Sequence, residues 1–127
     1  MSLENLKNQV GREYKMFFDD GNYEGCFYPV YFLYPNLPRY PLPNIDVKAK
    51  ENFTYGIKKI LKSFKRVDKK DAEKGDMFAC DFDGELHVGI LLEGDKLIHV
   101  FRGHTLKIDR LSFYQRRFKN LMFFRRR

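Results

Sequence analysis

The chain has no tryptophan, only two cysteines, Cys26 and Cys80, and only three histidines in 127 residues. Two thiols are too few for a disulfide scaffold, and a bridge between them would quench any thiol chemistry at Cys26. No apolar run approaches the roughly 20 residues of a membrane-spanning helix. The first ten residues, Met1 to Val10, mix polar and apolar groups without the apolar middle of a signal peptide. The expectation is a protein made in the cytoplasm, or carried out by a route other than its own N-terminus. Proline is scarce outside one stretch: four of the five lie between Pro35 and Pro43, which must be a stiff, irregular loop.

What is present fits a folded domain. The chain is 43% hydrophobic and 17% aromatic, which excludes disorder, and a chain of this length can bury a core as a single domain, 1–127. Net charge is +7, placed unevenly: from Arg102 to Arg127 there are nine Lys/Arg and one acid, Asp109. A basic tail ending Phe123-Phe124-Arg125-Arg126-Arg127 suits contact with an anionic polymer such as nucleic acid, a membrane surface or cell wall. The commoner role of such a run is a solvated strand edge guarded by arginines. No nucleic-acid-binding motif accompanies it.

The periodicity changes along the chain. Glu4 to Tyr14 reads as a short helix, with Leu6 and Val10 four apart. Asp19-Asp20-Gly21-Asn22 is a turn signal. A helix starting near Cys26 fits, because Pro29 is tolerated only in a first turn. Asp46 to Phe64 reads as a further helix, with Ile57, Ile60, Leu61 and Phe64 as its buried stripe. From Met77 the period becomes two. Strands are expected over Met77–Phe82, Leu86–Leu92 and Lys96–Phe101, joined by turns at Asp83-Gly84 and Gly94-Asp95, with a fourth over Thr105–Ile108. Leu111–Phe118 reads as a helical turn or short helix and Asn120–Arg126 as a last strand. Helices first and strands later give an α+β fold, N-terminal helices on a mostly antiparallel sheet.

The chemistry-bearing residues are Cys26, His87 and His99. The two histidines stand twelve residues apart on successive strands. Residues i and i+2 share a strand face, so the imidazoles meet only if paired residues have numbers summing to an even value. An odd loop, Glu93-Gly94-Asp95, gives that parity; a two-residue Gly94-Asp95 loop puts the rings on opposite faces. Gly89, without a side chain, lets another backbone or a helix approach the histidine face closely. With that register, His87 can take a thiol proton from Cys26 and His99 can hold the His87 ring in one tautomer. Backbone N–H groups at the start of the Cys26 helix are candidate oxyanion donors. The bland alternative is a core cysteine and two satisfied strand histidines. A metal site from Cys80, His87, His99 and His104 matches no zinc spacing.

Three segments, Gly75-Asp76-Met-Phe-Ala, His87-Val-Gly-Ile-Leu-Leu and Lys96-Leu-Ile-His99, together with Val10-Gly11-Arg12-Glu13-Tyr14 ahead of Cys26, resemble the NlpC/P60 family of papain-like cysteine peptidases. The resemblance runs over roughly residues 11–117. It implies a papain-like fold and hydrolysis of amide bonds in peptidoglycan stem peptides without a cofactor. It further implies Cys26 as nucleophile, His87 as base, His99 as orienting group and Tyr14 as an oxyanion or substrate contact. Phage-tail and cell-wall hydrolases are among the family's members, so a virion-associated protein and phage tail partners are implied as well. The chain departs from the family at the nucleophile, where Gly25-Cys26-Phe27-Tyr28 replaces the usual Asp-Cys-x-Gly. The Gly-Gly usual after the tyrosine is replaced by Met16-Phe17-Phe18. The alternative is therefore a catalytically degenerate binding or structural module on the same fold, for example a phage tail component.

Overall fold

The computed structural model describes residues 2–12, 18–19, 22–23, 27–37, 61–82, 85–101 and 104–127. Their elements in chain order are α1 (Leu3–Lys7), β1 (Phe18–Asp19), β2 (Asn22–Tyr23), α2 (Tyr28–Leu33), β3 (Phe64–Val67), β4 (Met77–Phe82), β5 (Glu85–Leu91), β6 (Lys96–His99), β7 (Lys107–Arg110) and β8 (Phe118–Arg126). Short 3-10 turns occupy Lys69–Asp71 and Leu111–Tyr114. Apart from the small β1–β2 hairpin, the strands form one six-stranded sheet in the order β3-β8-β4-β5-β6-β7. Every neighbouring pair in that sheet is antiparallel. The architecture is α+β, and none of the helices among the described residues is long and apolar enough to cross a membrane.

Strict alternation sorts side chains onto the two sheet faces. On β4 and β5, Met77, Ala79, Val88 and Ile90 face one way and bury Leu6 of α1 with Val30 and Tyr31 of α2. Phe27, just ahead of α2, joins that layer. Phe78, Cys80, Leu91 and Leu97 face the other way, under Tyr114, Phe118 and Phe123. The second face carries the histidines. Among the described residues it is covered by the Leu111–Tyr114 turn and the aromatic side chains of β8.

Each edge of this second layer is fastened by a local device. Past the end of β5 the Leu92 N–H donates to the Lys96 carbonyl at 2.8 Å, which closes the three-residue loop Glu93-Gly94-Asp95, and Gly94 takes a φ of +69°. Only glycine adopts that conformation readily. Asp95 of the same loop accepts from the Ser112 backbone N–H at 3.1 Å and from the Ser112 hydroxyl. The loop thereby docks the Leu111–Tyr114 turn that carries Tyr114. On β8, Asn120 has a φ of +55° opposite the point where pairing with β4 slips between Ala79 and Asp81. This is a β-bulge, with asparagine in the left-handed region it tolerates better than most residues.

Several expectations need adjustment. The first helix stops at Lys7 rather than running to Tyr14, and Val10 is 42% exposed instead of buried. The cause is Gly11, whose φ of +96° turns the chain so that its N–H reaches the Leu106 carbonyl at 2.8 Å. Phe64, placed at the end of a helix by its spacing, opens strand β3 and pairs with Arg126; the rest of that segment up to 60 lies outside the described residues. The fourth strand forms at Lys107–Arg110, two residues later than its expected start. The C-terminal arginines are tied into the fold. Arg125 grips the buried Asp76 carboxylate with two bonds of 3.0 and 2.9 Å, while Arg126 and Arg127 donate to the carbonyls of Ser63 and Phe64. Asp76 of the Gly75-Asp76 pair is thus an anchor for β8.

Gly89 is required by close packing. A Cβ there would fall 2.6 Å from the Phe78 ring and 2.7 Å from the Ile98 carbonyl oxygen. The approaching groups are a ring from β4 on one side and the backbone of β6 on the other. Gly89→Ala is expected to cost about 1–3 kcal/mol through overpacking. Urea unfolding of the variant checks this, and an unchanged midpoint would contradict it.

Candidate functional site: a buried histidine pair backed by a carboxylate

The β5–β6 ladder pairs Ile90 with Ile98 and Leu91 with Leu97, both even sums. Continued outward, the same register sets Gly89 across from His99 and His87 across from Phe101. The histidines therefore share a face as diagonal neighbours, the distance at which cross-strand side chains still meet. His87 Nε2 lies 2.9 Å from His99 Nδ1. His99 Nε2 lies 2.8 Å from Asp109 Oδ2, and the Tyr114 hydroxyl donates to that same oxygen at 2.8 Å. Lys107, the ladder partner of His99, brings its ammonium to 3.6 Å from Asp109.

Rings enclose this chain of bonds. Phe101 stacks on His87 at 4.5 Å between centroids, and Phe82, Phe78 and Phe118 approach it at 6.0, 5.9 and 5.6 Å. Tyr114 meets His99 edge-on at 5.3 Å. Only 4% of His87 and none of His99 is exposed, whereas the Asp109 side chain keeps 26%. The polar relay is thus dry at the histidine end and wetted at the carboxylate end.

Burial dominates the electrostatics. It pushes His87 down from 6.5 to about 3, aided by repulsion from His99 and Lys107. It pushes His99 down to about 4, overriding the opposite pull of Asp109. Burial also works to raise Asp109, but the hydrogen bonds from His99 and Tyr114 and the nearby Lys107 charge leave it below the ordinary carboxylate range. Tyr114 rises to about 12 through burial and its bond to Asp109. At neutral pH the site holds two neutral imidazoles, an ionised carboxylate and a protonated phenol.

Of the residues singled out from the sequence, His87 and His99 are brought together. Cys26 and Tyr14 lie outside the described residues. Cys80 is buried as the ladder partner of His87, and His104 is exposed, 6.2 Å ring to ring from Phe101. Among the described residues no group of His, Cys, Asp and Glu is arranged to hold a metal ion. Asp109 and Tyr114 were not anticipated as site residues. The one available signal was that Asp109 is the only acid in a strongly basic stretch that alternates as a strand.

Stability is expected to fall as pH drops from 6.5 toward 4. Unfolded histidines take up protons near 6.5, but the folded ones do so only near 4 and 3, so the unfolded state binds more protons in this window. Each contributes up to about 1.4 kcal/mol per pH unit there, and nothing well above pH 7. Urea midpoints between pH 7.5 and 4.5 measure the slope, and His87→Gln should remove roughly half of it. A flat profile would contradict the burial of neutral imidazoles.

No protein-family model matches this chain, and no curated protein matches it.

Proposed function

We propose that the protein is a cysteine peptidase or amidase of the papain-like NlpC/P60 kind, acting on amide bonds of peptidoglycan stem peptides. Cys26 is the nucleophile, His87 the general base, His99 the group that orients it, and Tyr14 an oxyanion or substrate contact. The observation that carries the reading is the contact between His87 Nε2 and His99 Nδ1 at 2.9 Å, continued to Asp109. Two unrelated strand histidines are more simply satisfied by backbone or water; a chain of contacts from one ring to the next, ending on a carboxylate, orients the first ring.

The chemistry follows in order. His87 Nε2 is committed to His99, so Nδ1 is the nitrogen that takes the Cys26 thiol proton. The thiolate attacks the amide carbon, forming a carbon–sulfur bond and a tetrahedral oxyanion. The proton held on His87 Nδ1 passes to the leaving amine as the carbon–nitrogen bond breaks. Water, deprotonated by His87, then attacks the thioester and releases the acid and the thiol. Low proton affinity in the buried ring makes the first transfer costly in isolation. A thiolate brought to the ring would offset this, because a negative charge there favours the imidazolium.

A second reading is a non-catalytic binding or structural module on the same fold, such as a phage tail component. It is favoured by the near-complete cover of His87 by Phe101, Phe82 and Phe118, and by the Gly25-Cys26-Phe27-Tyr28 sequence at the nucleophile. Either reading suits a protein of the cell wall or of a virion. Contact with an anionic polymer would fall to exposed cations such as Arg110, Arg116 and Lys119, since Arg125 to Arg127 are engaged within the fold.

Hydrolysis of purified stem peptides separates the two. The wild-type chain is expected to cleave them and Cys26→Ala to lose at least roughly 100-fold in rate. Undiminished hydrolysis by Cys26→Ala would remove Cys26 from the reaction. Binding of the peptides by a wild-type chain that does not cleave them would favour the module.

A further inference from the structure

We infer that Asp109 is a positioning residue for His87: acting through His99, it decides which ring nitrogen of His87 is bare. The inference rests on the reading of His87 as a base, and it supplies what that reading leaves open. A base needs a lone pair on the nitrogen that faces the thiol, and two neutral rings in contact have two ways to share their protons. In one, His87 Nε2–H donates to His99 Nδ1, and His87 Nδ1 is bare. In the other, His99 Nδ1–H donates to His87 Nε2, and His87 carries its hydrogen on Nδ1, where it cannot accept one.

The carboxylate breaks this tie. Asp109 Oδ2 has two partners at 2.8 Å, His99 Nε2 and the Tyr114 hydroxyl. An ionised carboxylate has no hydrogen to give, so both partners must donate. His99 therefore carries its single hydrogen on Nε2. Its Nδ1 is then an acceptor, and the 2.9 Å contact requires His87 Nε2 to be the donor. The only hydrogen of the neutral His87 ring is spent there. Nδ1, two rings removed from Asp109, holds the free lone pair.

The surroundings favour this polarity. Lys107, at 3.6 Å, and the phenol of Tyr114 support the charge of Asp109, and the 26% exposure of the Asp109 side chain lets water help. Tyr114 is itself held through the Leu111–Tyr114 turn, which Asp95 of the β5–β6 loop fastens at Ser112. One loop thus sets the register that joins the histidines and positions the phenol that steadies their carboxylate.

Nitrogen-15 NMR of the intact, histidine-labelled chain at pH 7.5 reads the tautomers directly, with His104→Gln used to assign the third ring. Both His87 and His99 are expected to be protonated at Nε2 and bare at Nδ1. A hydrogen on His87 Nδ1 would overturn the inference without need of any variant. In Asp109→Ala the His87 signals are expected to move to the averaged positions of mixed tautomers, and kcat for stem-peptide hydrolysis to fall about 100-fold with KM little changed. His87 remaining wholly Nε2-protonated in Asp109→Ala would also overturn it. The two readings fail separately. Hydrolysis that survives Cys26→Ala sinks the peptidase and leaves the tautomer result standing; a wrong tautomer with Cys26-dependent hydrolysis does the reverse.

Discussion

Two imidazoles taken out of water and bonded to each other resist being charged, and much of the molecule is arranged around that condition. Protonating either ring inside the Phe78, Phe82, Phe101 and Phe118 shell would place a cation where little solvates it. Asp109, the carboxylate bonded to the pair, sits at the wetter end of the relay, where its own charge is tolerable. The site is therefore a neutral relay with one fixed negative end. Such a relay has a direction, which a pair of histidines alone lacks.

The direction depends on sheet register. A shift of one residue between β5 and β6 would send His99 to the helix-bearing face among Val88 and Ile90 and separate it from His87. The Glu93-Gly94-Asp95 loop prevents that shift by its odd length and by the positive φ of Gly94. The same loop anchors the turn under Tyr114, and Gly89 makes room for the Phe78 ring beside both histidines. On the far side of β4, the Asp76–Arg125 pair and the Asn120 bulge hold β8 so that Phe118 and Phe123 close the layer. Site and second core are the same object, and changes meant for one act on the other.

The sheet was largely legible because β4, β5 and β6 are short, mostly apolar runs bounded by Gly-Asp or Asp-Gly, the pattern of strands buried on both faces. Parity alone tied the histidine contact to an odd loop. Less was legible where a residue's role is set by a distant partner. Phe64 fits a helical stripe as well as a strand, and only pairing with Arg126 decides between them. Val10 has helical spacing, but the Gly11 bond to Leu106 ends the helix first. Asp109 reads locally as a lone acid in a basic tail; its meaning comes from the β6–β7 pairing that brings it diagonally to His99. Arg125 reads as a free cation until Asp76, 49 residues earlier, is placed beneath it. Local pattern fixes elements, whereas ion pairs and relays are products of topology.

The central claim is that this oriented imidazole serves Cys26. The pH dependence of Cys26 alkylation, followed by mass spectrometry so that the buried Cys80 is counted apart, tests it most directly. A partnered thiol should alkylate with an inflection well below the free value of roughly 8.5, moving back toward it in His87→Gln. An inflection at or above roughly 8.5 in both proteins would contradict the partnership and leave the relay as part of the core.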